Sequence, residues 1–596
     1  MLAAVMTAGQ QARRVDDGAL KNGGRTGEEW LSYGLTQSET RYSPLSQINT
    51  SNVSRLGLQW SYDLASGGGG QEGTPLVWNG TLYGITNWSV VFAVDARTGN
   101  ERWRWDPEVN QVAVRPRICC GVVNRGLAIY QGLIIAPVID GRLQAHDAET
   151  GKVVWETRVA FSQDQYTITM APRIAKGKVI IGVSGGDRPT RGFFDAYDAM
   201  TGRLVWRFYT VPGDPSKPFE NPALKRAAET WEGEWWKSGG GATVWDGAAY
   251  DPDAGLVYVG TGNAEPWPGG LRKAEDTPDS ERFSPGRDNL YVCSILAVQV
   301  DTGELKWHYQ VVPGDSWDFD SVQHLMLADL TIDGRTRKVI MQANKDGFFY
   351  VLDRISGQFI SAQPFSMVTW AKGIDQKTGR PIVNSAAYYG LQSTTISPGG
   401  GGAHNWSPMS YNPTAGLVFI PTSTANSFNY EAEATFNPKP GQTTGTIRPA
   451  PPPKRPSPPA IGPPPLEGPG SRNALVAWDP VAQEMRWRNR LGGGIGGGTV
   501  STAGNLVFQA INDGRLLAYS ADKGERVLEI QTGLQSGMGP PITYQIDGRQ
   551  YVSVMGGVGT VSLGNAGPGN SATPFTPKLL TFVLDGKALL PTQSQP

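Results

Sequence analysis

Asp318 and Asp320 stand two residues apart in the string WHYQVVPGDSWDFD, and in an extended chain such side chains point to the same side. Two carboxylates converging on one site suit proton abstraction or a hard cation. The plainer reading of Asp320 is a solvated turn carboxylate. Four histidines, His146, His308, His324 and His404, are scattered without zinc spacing, and His146 falls inside a turn of a repeated string. The chain has 3 cysteines, two of them adjacent at Cys119-Cys120, too few for a disulfide scaffold. No Gly-x-Ser-x-Gly, His-Glu-x-x-His or P-loop string occurs, so the common hydrolase and nucleotide templates fail. Glycine-rich strings lie among strand patterns with no amphipathic helix behind them, so a dinucleotide fold is unsupported.

What must position such residues is a repeat. The pattern Ala-x-Asp-x-x-Thr-Gly-x-x-x-Trp occurs as AVDARTGNERW from Ala93, AHDAETGKVVW from Ala145 and AYDAMTGRLVW from Ala196. Weaker copies start at Ala297, Val351, Ala477 and Ala518. Two gaps are double length or more and hold the near-copies AYDPDAGLVYVGT (from Ala249) and SYNPTAGLVFIPT (from Ser410), each read as a concealed further unit. Alternating apolar runs such as KVIIGV and LVYVG are strand-length, and Asp-x-x-Thr-Gly is a tight turn. The repeated Trp is expected to bury its ring against the next unit. The 76 glycines and 44 prolines, about a fifth of 596 residues, fit a chain of many turns. Together these predict an all-β fold, an eight-bladed β-propeller of four-stranded antiparallel blades, with one unit split between the termini. A linear β array is the alternative, and it would leave strand edges open.

Residues 1–27 read as an N-terminal tail or trimmed leader and 28–596 as one propeller. Loop excursions are expected at 207–244 and 264–290, and a Pro-rich spacer, alternatively a proline-motif ligand, at 437–470. With 53 basic against 54 acidic side chains there is no field to draw in nucleic acid, and no apolar stretch is long enough for a membrane span.

Several strings, in order, resemble the pyrroloquinoline-quinone (PQQ) dependent alcohol dehydrogenases, or quinoproteins. They are GEEWLSYGLTQSETRYSPLSQI, RICCGVVNRGLAIY, GGGATVWDGAAYDPDAGLVYVGTGNAEPW, WHYQVVPGDSWDFD, NKDGFFYVLDR, GGAHNWSPMSYNP and LLAYSADKGE, running from about Glu28 to Thr560. The resemblance implies a flat tricarboxylated ortho-quinone held between Trp245 and a vicinal disulfide at Cys119-Cys120; two buried thiols are the alternative at the cysteines. It places Glu72, Arg125, Thr169, Ser184, Gly185, Thr243, Lys345, Asn405 and Trp406 around the cofactor. Arg125 suits a carboxylate and Lys345 the quinone oxygen. For a metal, calcium or a lanthanide, it implies Asp187, Asn263, Asp318 and Asp320. The family more often has Glu at the place of Asp187, whose side chain is shorter by one methylene. A second acid at the place of Asp320 goes with lanthanide use in the family.

The reaction so implied oxidises a primary or secondary alcohol to an aldehyde or ketone by hydride transfer to metal-bound PQQ, with Asp318 taking the hydroxyl proton. The chain has no Cys-x-x-Cys-His string, so an external acceptor, a cytochrome c, is expected. The glycines of LGGGIGGGTV (Leu491 to Val500) suggest a wide mouth that admits bulky alcohols. The family works in the periplasm. A non-catalytic propeller scaffold is the reading from another class, and an aldose dehydrogenase using PQQ on a different propeller is a further enzyme reading, in which adjacent cysteines are not expected.

Overall fold

The computed structural model describes residues 14–65, 70–118, 121–274, 277–278, 286–433, 435, 457–468, 472–491, 495–534, 537–557 and 577–591. Cys119 and Cys120, the first 13 residues of the expected tail and most of the Pro-rich spacer lie outside them.

Among the described residues eight of the ten sheets are the blades of a β-propeller ring, each built on four antiparallel strands, and two further sheets are two-stranded. Seven blades follow one another along the chain, over residues 76–105, 128–158, 173–209, 248–310, 326–364, 410–490 and 499–531. The eighth takes Ile542–Ile546, Arg549–Gly556 and Lys578–Leu584 from one end of the chain and its outermost strand, Leu56–Asp63, from the other. This split blade closes the ring, so the sheets form a circle rather than a linear array.

The seven repeat strings map one to a blade, onto blades one to seven. The two strings read as concealed units are instead the inner strand pairs of blades four and six: Ala248–Asp251 with Leu256–Gly260, and Ser410–Asn412 with Leu417–Ser423. Long connections before the third strand, from 261 to 293 and from 424 to 472, stretch those blades and mimic an extra repeat. The closing blade lacks the string.

The repeat is conspicuous because one contact recurs between blades. The indole N–H of Trp103 donates to the Ala148 carbonyl at 2.9 Å, Trp155 to Ala199 at 3.2 Å, Trp206 to Val300 at 2.9 Å, and Trp487 to Ala521 at 3.1 Å. Each ring lies on the glycine of the next turn. A Cβ on Gly151, Gly202 or Gly303 would come within 2.7 Å of it, and each of these glycines has a φ near +70°. Only glycine meets both demands. The turn Asp closes the motif, as where Asp147 accepts from the backbone N–H of Thr150 at 2.9 Å and from its hydroxyl at 2.7 Å.

Residues 28–43 run as a strap across one end of the ring. Trp30 pairs with Val77 of the first blade, and the amide of Gln37 reaches the Ile174 carbonyl of the third. The N–H groups of Tyr250, Leu327, Tyr411 and Ser501 donate to the carbonyls of Gln37, Ser38, Thr40 and Arg41, on blades four to seven. Gln545 of the eighth blade donates to Glu28. The guanidinium of Arg41, fully buried, donates to the carbonyls of Thr499 (2.9 Å), Tyr33 (2.6 Å) and Pro541 (2.7 Å). A short strap thereby joins seven of the eight blades.

Within 210–244 two short helices, Pro222–Ala228 and Trp235–Ser238, bring Trp231 and Trp235 into one buried cluster with Trp317, Phe319 and Trp370. This aromatic mass backs the segment that carries Asp318.

Candidate active site

In an antiparallel pair, the start of the first strand and the end of the second lie at the same end. Every described candidate residue occupies one of these two places. Glu72, Arg125, Thr169, Thr243 with Trp245, Asp318 with Asp320, and Asn405 with Trp406 precede the first strands of blades one to six. Ser184, Gly185 and Asp187, then Asn263, then Lys345 follow the second strands of blades three, four and five. The ring therefore gathers on its axis residues more than 300 positions apart.

Asp318 and Asp320 converge as expected, but not as alternate residues of an extended chain, because Asp318 sits at positive φ in a turn. Trp317 and Phe319 are buried in the aromatic cluster, and Asp318 and Asp320 turn the other way. Asp315 caps the turn, accepting the N–H groups of Trp317 at 3.0 Å and Phe319 at 3.1 Å. Asp318 takes a φ of +65°, a strained conformation for a side-chain-bearing residue, and Gly400 packs so close that a Cβ there would lie 3.0 Å from an Asp318 oxygen. Lys345 Nζ lies 3.2 Å from Asp318 and 2.6 Å from Asp320. Burial pushes the Asp318 carboxyl well up; the Lys345 charge opposes this and the charges of Asp320 and Asp187 add to it. Burial lowers Lys345, but its two acids outweigh that and raise it overall.

Asp320 is held on three sides. Besides Lys345, its Oδ1 accepts the backbone N–H of Asn263 at 2.8 Å and the indole N–H of Trp245 at 3.4 Å. One carboxylate thus sets the edge of the ring on which a flat ligand would lie. Arg125 sits 4.9 Å from the Trp245 ring centre and 5.8 Å from that of Trp406. It pairs with Glu72 at 2.9 Å, bonds the Thr169 hydroxyl at 2.9 Å and the Trp245 carbonyl at 3.2 Å, and lies 3.7 Å from Asp246. Burial raises Glu72 to about 7 and Asp246 to about 6, each against the pull of Arg125. Thr169 and Ser184 share a hydroxyl contact of 2.6 Å. Gly185, at a φ of +132°, forms the turn before Asp187.

A metal and a quinone are tested against the donors present. The Asn263 amide nitrogen donates to the Ala264 carbonyl at 3.2 Å, and its Oδ1 faces Gly186. Gly186 keeps that face bare: a Cβ there would lie 2.9 Å from Asn263 Oδ1 and 3.0 Å from the Thr243 hydroxyl. That hydroxyl is fully buried and has no hydrogen-bond partner in the protein. Asp187 accepts the Trp267 indole N–H at 3.2 Å, and burial raises its carboxyl, with the Asp320 charge adding to the effect. Among the described residues no three His, Cys, Asp or Glu side chains form a metal cluster by themselves, so a cation here needs the Asn263 oxygen as well. The all-oxygen set fits a hard cation, and an indole with a neighbouring guanidinium fits a planar polyanion.

Asn405 is the candidate least joined to the others. Its amide bonds the Gly401 carbonyl at 3.0 Å and its oxygen accepts the Trp406 N–H at 2.8 Å, so it shapes the turn that presents Trp406. Sequence reasoning passed over Asp246, Gly186 and Trp267. Asp246 and Trp267 lie inside GGGATVWDGAAYDPDAGLVYVGTGNAEPW, and Gly186 stands one residue before Asp187, so their positions were in view although their partners were not.

An eight-bladed propeller whose axis carries a stacked indole, a buried guanidinium and an oxygen-rich acid cluster defines the quinoprotein class. The family described as PQQ: glucose/ethanol/alcohol dehydrogenase, beta-propeller domain, matches residues 30–364 and 473–552, and the chain belongs to it. A curated relative, quinohemoprotein alcohol dehydrogenase ADH IIB of Pseudomonas putida, is 47% identical over 97% of this chain and 81% of its own length. The crystal structure of the quinohemoprotein alcohol dehydrogenase from Comamonas testosteroni superposes with a TM-score of 0.87 at 43% identity, over 98% of this chain and 84% of that one. A europium-containing methanol dehydrogenase gives a TM-score of 0.80 at 31% identity, over 95% of this chain and all of that one.

Proposed function

We propose that the protein oxidises primary or secondary alcohols to aldehydes or ketones. The observation that carries this reading is the convergence of Asp318, Asp320 and Lys345 with the Asn263 oxygen beside the Trp245 ring, in a chain of the PQQ dehydrogenase family. Asp318 is the base for the alcohol hydroxyl; its strained backbone and the close Gly400 hold it at one angle. Lys345 opposes the burial that favours a protonated Asp318 and places a positive charge where negative charge gathers. Asn263, Asp187, Asp318 and Asp320 would hold calcium or a lanthanide, and Arg125, Trp245, Thr169, Ser184 and Thr243 the cofactor. Bound PQQ would supply a two-electron acceptor made more electrophilic by the cation. The electrons leave to a one-electron acceptor of the cytochrome c class, and the periplasm is the compartment in which the family works. Among the described residues no helix is long and apolar enough to cross a membrane.

The glycine stretch after Leu491 supports a wide mouth less than its composition suggests. A Cβ on Gly496, Gly497 or Gly498 would meet Ala510, Gly539 or Pro408 backbone within 2.6 Å, so these glycines allow strands to approach rather than leave space; 492–494 lie outside the described residues. The test is reconstitution of the purified protein with PQQ plus calcium or PQQ plus lanthanum, followed by dye reduction with ethanol, polyols and bulky secondary alcohols. Reduction with any alcohol and either metal supports the reading, and none with all of them rejects it. Much faster turnover of ethanol than of bulky alcohols rejects the wide mouth alone.

A further inference from the structure

Blade four is stretched by the connection from 261 to 293, and the first part of that connection is buried up to Arg272, with only Trp267 and Gly269 partly exposed. A buried loop must place its own polar groups, so its hydrogen bonds show what it holds. The root is tied down first. The Asn263 carbonyl accepts the N–H of Ala242 at 2.8 Å, and the N–H of Glu265 donates to the Gly240 carbonyl at 3.1 Å. The segment thus leaves blade four alongside the residues that lead to Thr243 and Trp245.

From there it returns to the site on both sides. Toward blade three, the Trp267 indole N–H donates to Asp187 at 3.2 Å. Toward blade five, the single 3-10 turn Gly269–Arg272 brings up Arg272, which is 5% exposed. Its Nη2 donates to the carbonyls of Asp315 at 2.7 Å and Gly314 at 3.3 Å and lies 3.4 Å from the Ser316 hydroxyl. The N–H of Gly269 donates to that hydroxyl at 3.3 Å, and a Cβ on Gly269 would lie 3.0 Å from it, so the glycine lets the two segments close up. Asp315 in turn caps Trp317 and Phe319, the neighbours of Asp318 on either side.

The ten residues 263–272 therefore reach all four candidate ligands. They supply Asn263 itself, hold Asp320 through the Asn263 N–H at 2.8 Å, hold Asp187 through Trp267, and support Asp318 through Arg272 and Asp315. These ligands stand at the ends of three separate sheets, and pairing within a sheet cannot fix distances between them. One short loop, bonded to both neighbouring blades, can.

Hard cations of equal charge are told apart by the size and stiffness of the oxygen cage that takes them. We propose that segment 263–272 is a gauge that sets the size of the cation site, with Trp267 and Arg272 as positioning residues that decide which ion radii it accepts. The proposal rests on the dehydrogenase reading, which supplies the cation. Trp267 keeps Asp187 from swinging in to meet a smaller ion, and Arg272 keeps the turn ahead of Asp318 from backing away from a larger one.

The experiment titrates the PQQ-loaded protein with lanthanum, gadolinium and lutetium, trivalent ions of falling radius, and reads binding by calorimetry. Wild type, Trp267→Phe and Arg272→Met are compared with Gly303→Ala, a change in the turn at the far end of blade four that strains the fold without touching the loop. In wild type the three dissociation constants should span about tenfold or more; in Trp267→Phe and Arg272→Met the span should shrink to about threefold or less, and Gly303→Ala should keep the wild-type span. A purely structural role for the loop predicts instead that all three ions lose affinity by the same factor. That result, or a wild type that binds the three alike, overturns the gauge and leaves the dehydrogenase reading intact. Trp267→Phe keeps an aromatic ring and removes the indole N–H, so it decides alone if Arg272→Met fails to fold. If wild type binds no trivalent ion, the same comparison is made with calcium, strontium and barium, divalent ions of rising radius. Binding of neither series overturns the cation site and the gauge with it.

Discussion

The Lys345 ammonium lies 2.6 Å from Asp320 and 3.2 Å from Asp318, one cation shared by two buried acids that stand two residues apart. The contact joins the end of the second strand of blade five to the segment before that blade's first strand. It sets one positive charge between the two acids and holds Asp320, whose Oδ1 also accepts from Trp245 and Asn263.

Lys345→Met should therefore lower kcat by roughly 10²-fold, the usual loss for one donor aimed at developing charge. The KM for alcohol should change little, because the ammonium touches the two acids. Steady-state kinetics with dye as acceptor would read this, and an unchanged kcat would remove Lys345 from the machinery.

Asp320 offers a choice between metal ligand and positioning residue. As a ligand it adds a negative oxygen that a trivalent ion gains from more than a divalent one. Asp320→Ala should weaken lanthanum binding roughly tenfold more than calcium binding in direct titrations of the PQQ-loaded protein. Equal losses for both metals would mean that it serves to hold Asn263 and Trp245.

Glu72 and Asp246 flank Arg125 with carboxyls raised to about 7 and about 6. Below those values they are protonated, and the pocket then presents less negative charge to a tricarboxylate. PQQ affinity of the apoprotein should rise as pH falls from 8 to 5.5, by up to about tenfold per pH unit for each proton taken up on binding. Quenching of tryptophan fluorescence at a series of pH values measures it; an affinity that is flat or rises with pH counts against these acids facing the cofactor. The same groups should make the unloaded fold less stable as pH rises through about 6 to 7, since the native state there binds more protons than the unfolded chain.

Gly303 combines a φ of +71° with a Cβ position 2.7 Å from the Trp206 ring. Gly303→Ala should cost about 2 kcal/mol or more, from backbone strain and overpacking together. Urea denaturation gives the number. Gly334, also at positive φ but with open space around it, should cost less when changed to Ala and separates the two causes.

The repeat was legible because it serves the same contact in blade after blade: an Asp-anchored turn, a glycine at positive φ and an indole laid on it are local requirements, and local requirements leave periodic traces. Counting units was harder where long connections stretched blades four and six, since an inner strand pair in isolation looks like a further repeat. The motifs of the site were equally visible, including the pair Asp318 and Asp320, although the turn at positive φ that brings the two acids together was not.

Partnerships were not. That Arg125 meets Asp246, that Trp267 holds Asp187, and that Glu39 of the strap pairs with Arg173 of the third blade all depend on closing the ring, which brings together segments that no local pattern connects. Chain order determined the blades and the end of each strand that would carry chemistry. Only closure by Leu56–Asp63 against Lys578–Leu584 decided which side chains share charge and hydrogen bonds on the axis, because those interactions act through space over a few ångströms and are blind to separation along the chain.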